Sequence, residues 1–185
     1  MDIKDEKILR KIISACLNNK SRYQQKLHEA LYPIMMPICL RYSKDYDEAQ
    51  DILQEGFIKI FKSLEKYQFK GSFEGWAKRL FVNNAIDYIR KKKEYTISLD
   101  ETNEYLIADE KIEENTDEDF TQIKAKEILL AIQQLSPMYR MTFNMHILEG
   151  MTHKEIAEKL NISEGTSKSN LSRARKKIRE ILLEK

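Results

Sequence analysis

The 185 residues carry 32 Lys and Arg against 30 Asp and Glu, a formal net charge of +2, and 42% of them are apolar. That balance suits a folded protein with a buried core, arranged as one ordinary domain or two small ones. No run approaches the roughly 18 apolar residues of a membrane span, and the opening MDIKDEKILRKII mixes acids and bases instead of placing charge before an apolar stretch, so a cytoplasmic protein is expected.

Glycine and proline are scarce, 5 and 3 residues, and apolar positions step by three and four along most of the chain, which predicts an all-α fold. Cys16 and Cys39 lie in helix-like apolar surroundings with no Cys or His at zinc spacing; they read as core thiols, and neither metal nor cofactor is expected. Residues 27–42 make a good helical run except that Pro33 and Pro37 lie inside it, which predicts a kink or a restart. Residues 51–67, DILQEGFIKIFKSLEKY, are an amphipathic helix with Leu53, Phe57, Ile60, Phe61 and Leu64 as its stripe. Its acids come first and its lysines last, as the helix dipole favours. Glu48, Asp51 and Glu55 share helical spacing, but no His or second carboxylate cluster accompanies them, so they suit an exposed helix start better than a catalytic metal site.

In the next helix, GSFEGWAKRLFVNNAIDYIRKKK, Arg79, Asn83, Asp87 and Arg90 recur on one face. Tyr67, Phe69, Phe73, Trp76, Phe81 and Tyr88 flank it, and polar and basic groups beside rings suit single-stranded nucleic acid, whose bases can stack and be hydrogen-bonded. Of these rings Phe73, Trp76 and Phe81 read as core.

The net charge hides a division. Residues 21–93 hold 14 bases and 9 acids and residues 133–185 hold 10 and 6, whereas residues 94–119 hold 11 acids and one Lys. With few apolar anchors, residues 94–124 read as an acidic flexible linker between two small helical domains, 1–93 and 125–185. The linker is either a solvated spacer or a nucleic-acid mimic lying in a partner's basic channel.

Beyond it, Ser136 and Pro137 open a supporting helix that Gly150 closes. Thr152 and Glu155 have capping-box spacing and start a short helix with Ile156, Ala157 and Leu160 inside. A tight turn, NIS, leads to Ser163 as N-cap of a basic helix whose inner stripe is Leu171, Ala174 and Ile178. This reads as a helix-turn-helix whose second helix suits the major groove, the other reading of the same residues being a solvated charged helix in a helical bundle.

The order of these features resembles a bacterial extracytoplasmic-function (ECF) sigma factor of the sigma-70 family. DILQEGFIKIFKSL followed by FEGWAKRLFVNNAIDYIRKKK is similar to region 2, and LSPMYRMTFNMHILEGMTHKEIAEKLNISEGTSKSNLSRARKKI to region 4. The resemblance covers about residues 20–183. It implies a non-enzymatic protein that binds core RNA polymerase, directs it to promoter DNA and helps to melt it, with no small-molecule substrate and with an anti-sigma factor, commonly membrane-bound, as a further partner. It also implies that Asp51, Gln54, Glu55, Phe57 and Ile58 dock on the polymerase clamp, and that Tyr67, Lys70 and Gly71 lie in a loop capturing a base flipped from the minus-10 element. Arg79, Asn83, Asp87 and Arg90 match the adjoining face that grips that strand. Thr166, Lys168, Ser169, Asn170, Arg173 and Lys176 match the exposed side of the minus-35 recognition helix, and the linker matches the segment in the channel used by nascent RNA. Ser167 departs from the family's usual valine and weakens a packing position; Asn170 departs from a frequent arginine and would favour adenine. The alternative is an autonomous regulator binding operator DNA as a dimer through the helix-turn-helix, which leaves the region 2 motif unexplained.

Overall fold

A computed structural model describes residues 3, 5–97 and 125–183, the side chains of residues 93–97 excepted. Apart from the backbone of its first four residues, the acidic segment 94–124 lies outside these. Among the described residues the elements are helical throughout, as the apolar spacing predicts: α1 (Glu6–Leu17), α2 (Ser21–Tyr42), α3 (Tyr46–Ser63), a 3-10 turn (Leu64–Lys66), α4 (Phe73–Ile97), α5 (Ala125–Gln133), α6 (Pro137–Phe143), a π-helical turn (Asn144–Leu148), α7 (His153–Leu160) and α8 (Glu164–Leu183). The chain divides into two compact units, Met1–Tyr88 and Ile89–Lys185.

In the first unit, Asp5 caps α1 by accepting from the Lys7 and Ile8 N–H groups, and the helix buries Leu9, Ile12, Ile13 and Cys16. Helix α2 runs unbroken through Pro33 and Pro37 instead of restarting. Both prolines are exposed, so the carbonyls of Glu29 and Pro33 that lose their N–H donors can be hydrated, while Leu27, Leu31, Met35, Ile38 and Cys39 hold the opposite side in the core. Cys16 and Cys39 are buried free thiols, pushed up by burial to about 11 and about 12. Helix α3 begins five residues before the expected Asp51. Asp45 accepts from the Glu48 N–H at 2.8 Å and Glu48 reaches back to the Lys44 N–H at 2.7 Å, a reciprocal cap that starts the helix early.

Helices α3 and α4 meet at Gly56, which lies directly under the Phe81 ring and leaves no room there for a Cβ. Asn84, fully buried, donates to the Ile52 carbonyl at 2.8 Å, and Phe57 meets Phe81 edge-on at 5.3 Å.

In the second unit, Ala131, Ile132 and Leu135 pack on Ala174 and Ile178 of α8, with Tyr139 and Phe143 at the rim. The supporting helix is shorter than its sequence suggests. After Phe143 it widens into the π turn, where the Glu149 N–H reaches the Asn144 carbonyl and buried Asn144 turns its Nδ2 to the Arg140 carbonyl. Ser136 occupies the N-cap position and Pro137 the first turn, but the Ser136 side chain makes no capping bond.

Candidate docking and nucleic-acid interfaces

Helix α3 presents an outward stripe at i, i+3, i+4 and i+7: Asp51, Gln54, Glu55 and Ile58 are all exposed. Ile58 is 46% exposed, an apolar centre beside two carboxylates. The Tyr88 hydroxyl donates to Asp51 Oδ2 at 3.2 Å, and burial first, then Asp51, pushes that phenol up to about 12. Phe57 does not share this surface. It is 5% exposed and lies against His28 at 4.1 Å, because position 57 falls on the side of α3 that faces the core.

The loop after α3 is shaped by Tyr67. Its ring is buried among Phe69, Phe73 and Trp76, at centroid distances of 4.8, 5.0 and 5.3 Å, and its hydroxyl donates to the Gly71 carbonyl at 2.8 Å. Tyr67 thus braces the loop from inside. Gly71 takes φ +89°, which a side chain would oppose, and Lys70 beside it is exposed. Phe73 and Phe81 are core, as their spacing suggests, whereas Trp76 is only half-buried. Arg79, Asn83, Asp87 and Arg90 are exposed along α4, at steps of four, four and three, and Asp87 pairs with Lys59 at 3.5 Å. The helix therefore offers one polar, basic-edged face beside a partly exposed indole.

In the helix-turn-helix the capping box forms as its spacing predicts: the Glu155 N–H donates to Thr152 Oγ1 and the Thr152 N–H to Glu155 Oε2. These bonds hold the Glu155 carboxyl below its usual range. Asn161 takes φ +54° to close α7, and Ser163 Oγ accepts from the Thr166 N–H to open α8. Leu171, Ala174 and Ile178 are buried, and so are Ser167 and Asn170, which continue that stripe toward the N-terminus. Asn170, expected on the exposed side, is thus turned inward, since it stands three residues from Ser167 and four from Ala174. Thr166, Lys168 and Lys176 are exposed and Ser169 is half-buried. Arg173 is half-buried at the edge of the outer face, with Nη1 3.4 Å from the Tyr139 hydroxyl. Arg175 and Arg179 are also exposed, which sequence reasoning missed.

Ser167 has a partner that the departure from valine conceals. Fully buried, its Oγ meets His153 Nδ1 at 2.9 Å, and the His153 ring stacks on His146 at 4.4 Å. His146 Nδ1 in turn donates to the Met151 carbonyl at 2.8 Å. Burial, then His146 and Lys168, hold the His153 imidazole below its ordinary 6.5. The unfolded chain therefore binds the proton more readily, and stability contributed at neutral pH falls as pH drops through about 6.5, the loss levelling off below the folded value. Amides of α7 and α8 should lose hydrogen-exchange protection between about pH 7.5 and about pH 5.5 after correction for intrinsic rates, and His153→Gln should flatten the change. Equal protection at both pH values would show that His153 protonates freely in place.

The described residues contain no helix long and apolar enough to cross a membrane. The family model for sigma-70 region 2 matches residues 27–95, and that for sigma-70, region 4 matches residues 125–178. The chain is 30% identical over 146 residues to the ECF RNA polymerase sigma factor SigE of Mycolicibacterium smegmatis, covering 78% of this chain and 56% of SigE. It is 31% identical over 144 residues to the ECF RNA polymerase sigma factor SigM of Bacillus subtilis, covering 77% of this chain and 84% of SigM. The solved sigma factor RpoE from Bartonella quintana, in complex with the anti-sigma factor NepR, is 18% identical at a TM-score of 0.49, covering 85% of this chain and 95% of that one.

Proposed function

Since the chain belongs to the sigma-70 family, among the ECF sigma factors, we propose that it is an alternative sigma factor: it binds core RNA polymerase in the cytoplasm, directs it to specific promoters and promotes melting of the DNA. The observation that carries this reading is the presence of both family blocks, region 2 and region 4, in that order on one chain. A helix-turn-helix regulator needs only the second.

Each surface then has a task. The α3 stripe docks on a basic, partly apolar surface of the polymerase, where the carboxylates give orientation and Ile58 gives buried area. The Tyr67–Gly71 loop receives an unstacked base and α4 grips the same strand. Helix α8 enters the major groove, with Lys168, Arg175, Lys176 and Arg179 in reach of phosphates and base edges. Residues 1–93 and 125–185 are the two working domains, and residues 94–124 connect them. An anti-sigma factor, membrane-bound in one form of this proposal, would hold the protein inactive by covering these same surfaces. No catalytic step is assigned to the chain; the chemistry of RNA synthesis belongs to the polymerase.

In-vitro transcription with core polymerase and genomic DNA tests the proposal, alongside gel shifts with and without core enzyme. Discrete new transcripts, and promoter binding that needs core enzyme, are the expected outcome. Tight, specific DNA binding by the chain alone, with no new transcripts, would instead identify an autonomous regulator.

A further inference from the structure

Helix α1 precedes the region 2 match, which begins at residue 27, so membership of the family gives it no task. Its side chains nevertheless reach the Tyr67–Gly71 loop. A cleft of about 330 Å³ opens between them, lined on one side by Glu6 and Leu9 of α1 and on the other by Tyr67, Phe69, Phe73 and Glu74. Aromatic edges with a few convergent polar groups in a cleft of this size suit one flat, unstacked heterocycle.

The polar groups are arranged in sequence. The Arg10 guanidinium lies over the Phe69 ring, 3.8 Å from its centroid. Phe69 takes φ +58°, a conformation unfavourable for a bulky side-chain-bearing residue that persists only where surroundings hold it. Arg10 and Tyr67 both contact its ring. From the same guanidinium, Nε and Nη2 both donate to Glu6 Oε1, at 2.9 and 2.6 Å. Among the described residues this leaves Oε2 as the acceptor that Glu6 can offer to a ligand, while the Arg10 charge offsets the carboxylate and limits its repulsion of a phosphate backbone. Glu6 and Arg10 also act in opposite senses on the Tyr67 phenol, which burial first, then Glu6, holds above its ordinary 10. Both side chains thus sit close to the loop's central ring. Glu74, the other carboxylate at the cleft, is paired with Lys78 at 2.7 Å.

We propose that α1 is the second wall of the base-capture cleft: Arg10 clamps the loop through Phe69, and Glu6 accepts a hydrogen bond from the exocyclic amine of a captured base. The inference rests on the reading above that the Tyr67–Gly71 loop receives an unstacked base of single-stranded DNA. A carboxylate accepts from the exocyclic amine of adenine, cytosine or guanine, which thymine lacks, and it repels the O4 carbonyl of thymine, so the cleft favours amino-bearing bases. Which of the three is taken depends on ring size and on the carbonyl that accompanies the amine, and the test separates them.

The experiment uses the full chain assembled with core polymerase. Single-stranded DNA randomised over about ten positions is selected on this complex, and the position with the strongest requirement is then made A, C, G, T or abasic. Thymine there should reduce retention about tenfold relative to the best of adenine, cytosine and guanine. Glu6→Gln, whose carboxamide can donate as well as accept, should bring that ratio to within about twofold. Arg10→Ala should narrow the ratio as well and weaken retention of every strand, because the loop loses its clamp. Unchanged base preference in both variants, with native circular dichroism, would overturn the role of α1 and leave base capture by the loop intact. Retention of the abasic strand as well as any base by the native complex would overturn the capture reading, and this proposal with it.

Discussion

Asp51→Lys combined with Glu55→Lys should weaken binding to core polymerase by about 100-fold or more, because reversing two charges in an interface replaces attraction with repulsion at both places. Both side chains are exposed on α3, and among the described residues Asp51 accepts from the Tyr88 hydroxyl. Helical content should therefore stay native while association falls, which fluorescence anisotropy of labelled protein titrated with core enzyme would read. Ile58→Ala should weaken association to a lesser degree by removing apolar area, again without loss of fold. Phe57→Ala behaves differently. Its ring packs between His28 and Phe81, so truncation should cost about 3–5 kcal/mol of stability, and any loss of polymerase binding would follow from unfolding. Binding of the double charge reversal at native strength would place the docking surface elsewhere.

Gly56→Ala should destabilise the first unit by about 1–3 kcal/mol, although alanine is by itself the better helix former by about 1 kcal/mol. A Cβ at this position overlaps three ring atoms of buried Phe81, and two packed helices leave the ring no exit. The protein has a single tryptophan, Trp76, which lies in this unit, so its fluorescence in a urea titration reports the unit directly. Adding Phe81→Leu to Gly56→Ala should recover part of the loss, a coupling that a double-mutant cycle measures. Equal or greater stability of Gly56→Ala alone would mean that α3 and α4 can move apart without cost. Under the proposed function the contact matters because α3 would carry the docking stripe and α4 the strand-facing residues. Their spacing is set by Gly56 under Phe81 and by the Asn84 bond to the Ile52 carbonyl.

Local signals acting over three or four residues were legible in the sequence. The all-helical fold, the capping box of Thr152 and Glu155, the Ser163 cap and the buried stripe of Leu171, Ala174 and Ile178 all follow from side chains within one turn of one another. The outward stripe of Asp51, Glu55 and Ile58 could be read in the same way, and membership of the sigma-70 family rests on the linear order of such blocks. Other features depended on what lies across a helix interface. Phe57 and Asn170 have side chains that would suit a partner or a base, and each faces inward because of the helices packed beside it. Ser167 looked like a packing defect until α7 brought His153 to its hydroxyl, 14 residues away. Pro33 and Pro37 read as a kink or a restart, yet both face solvent while the far side of α2 is held by the core, so the carbonyls they orphan are open to hydration and the helix continues. Arg10 over Phe69 joins residues 59 positions apart, and no periodicity within one helix encodes such a contact. Residue spacing sets each helix and the face it can bury, whereas side-chain volume and charge from distant segments decide which of its polar and aromatic residues are left to bind a partner.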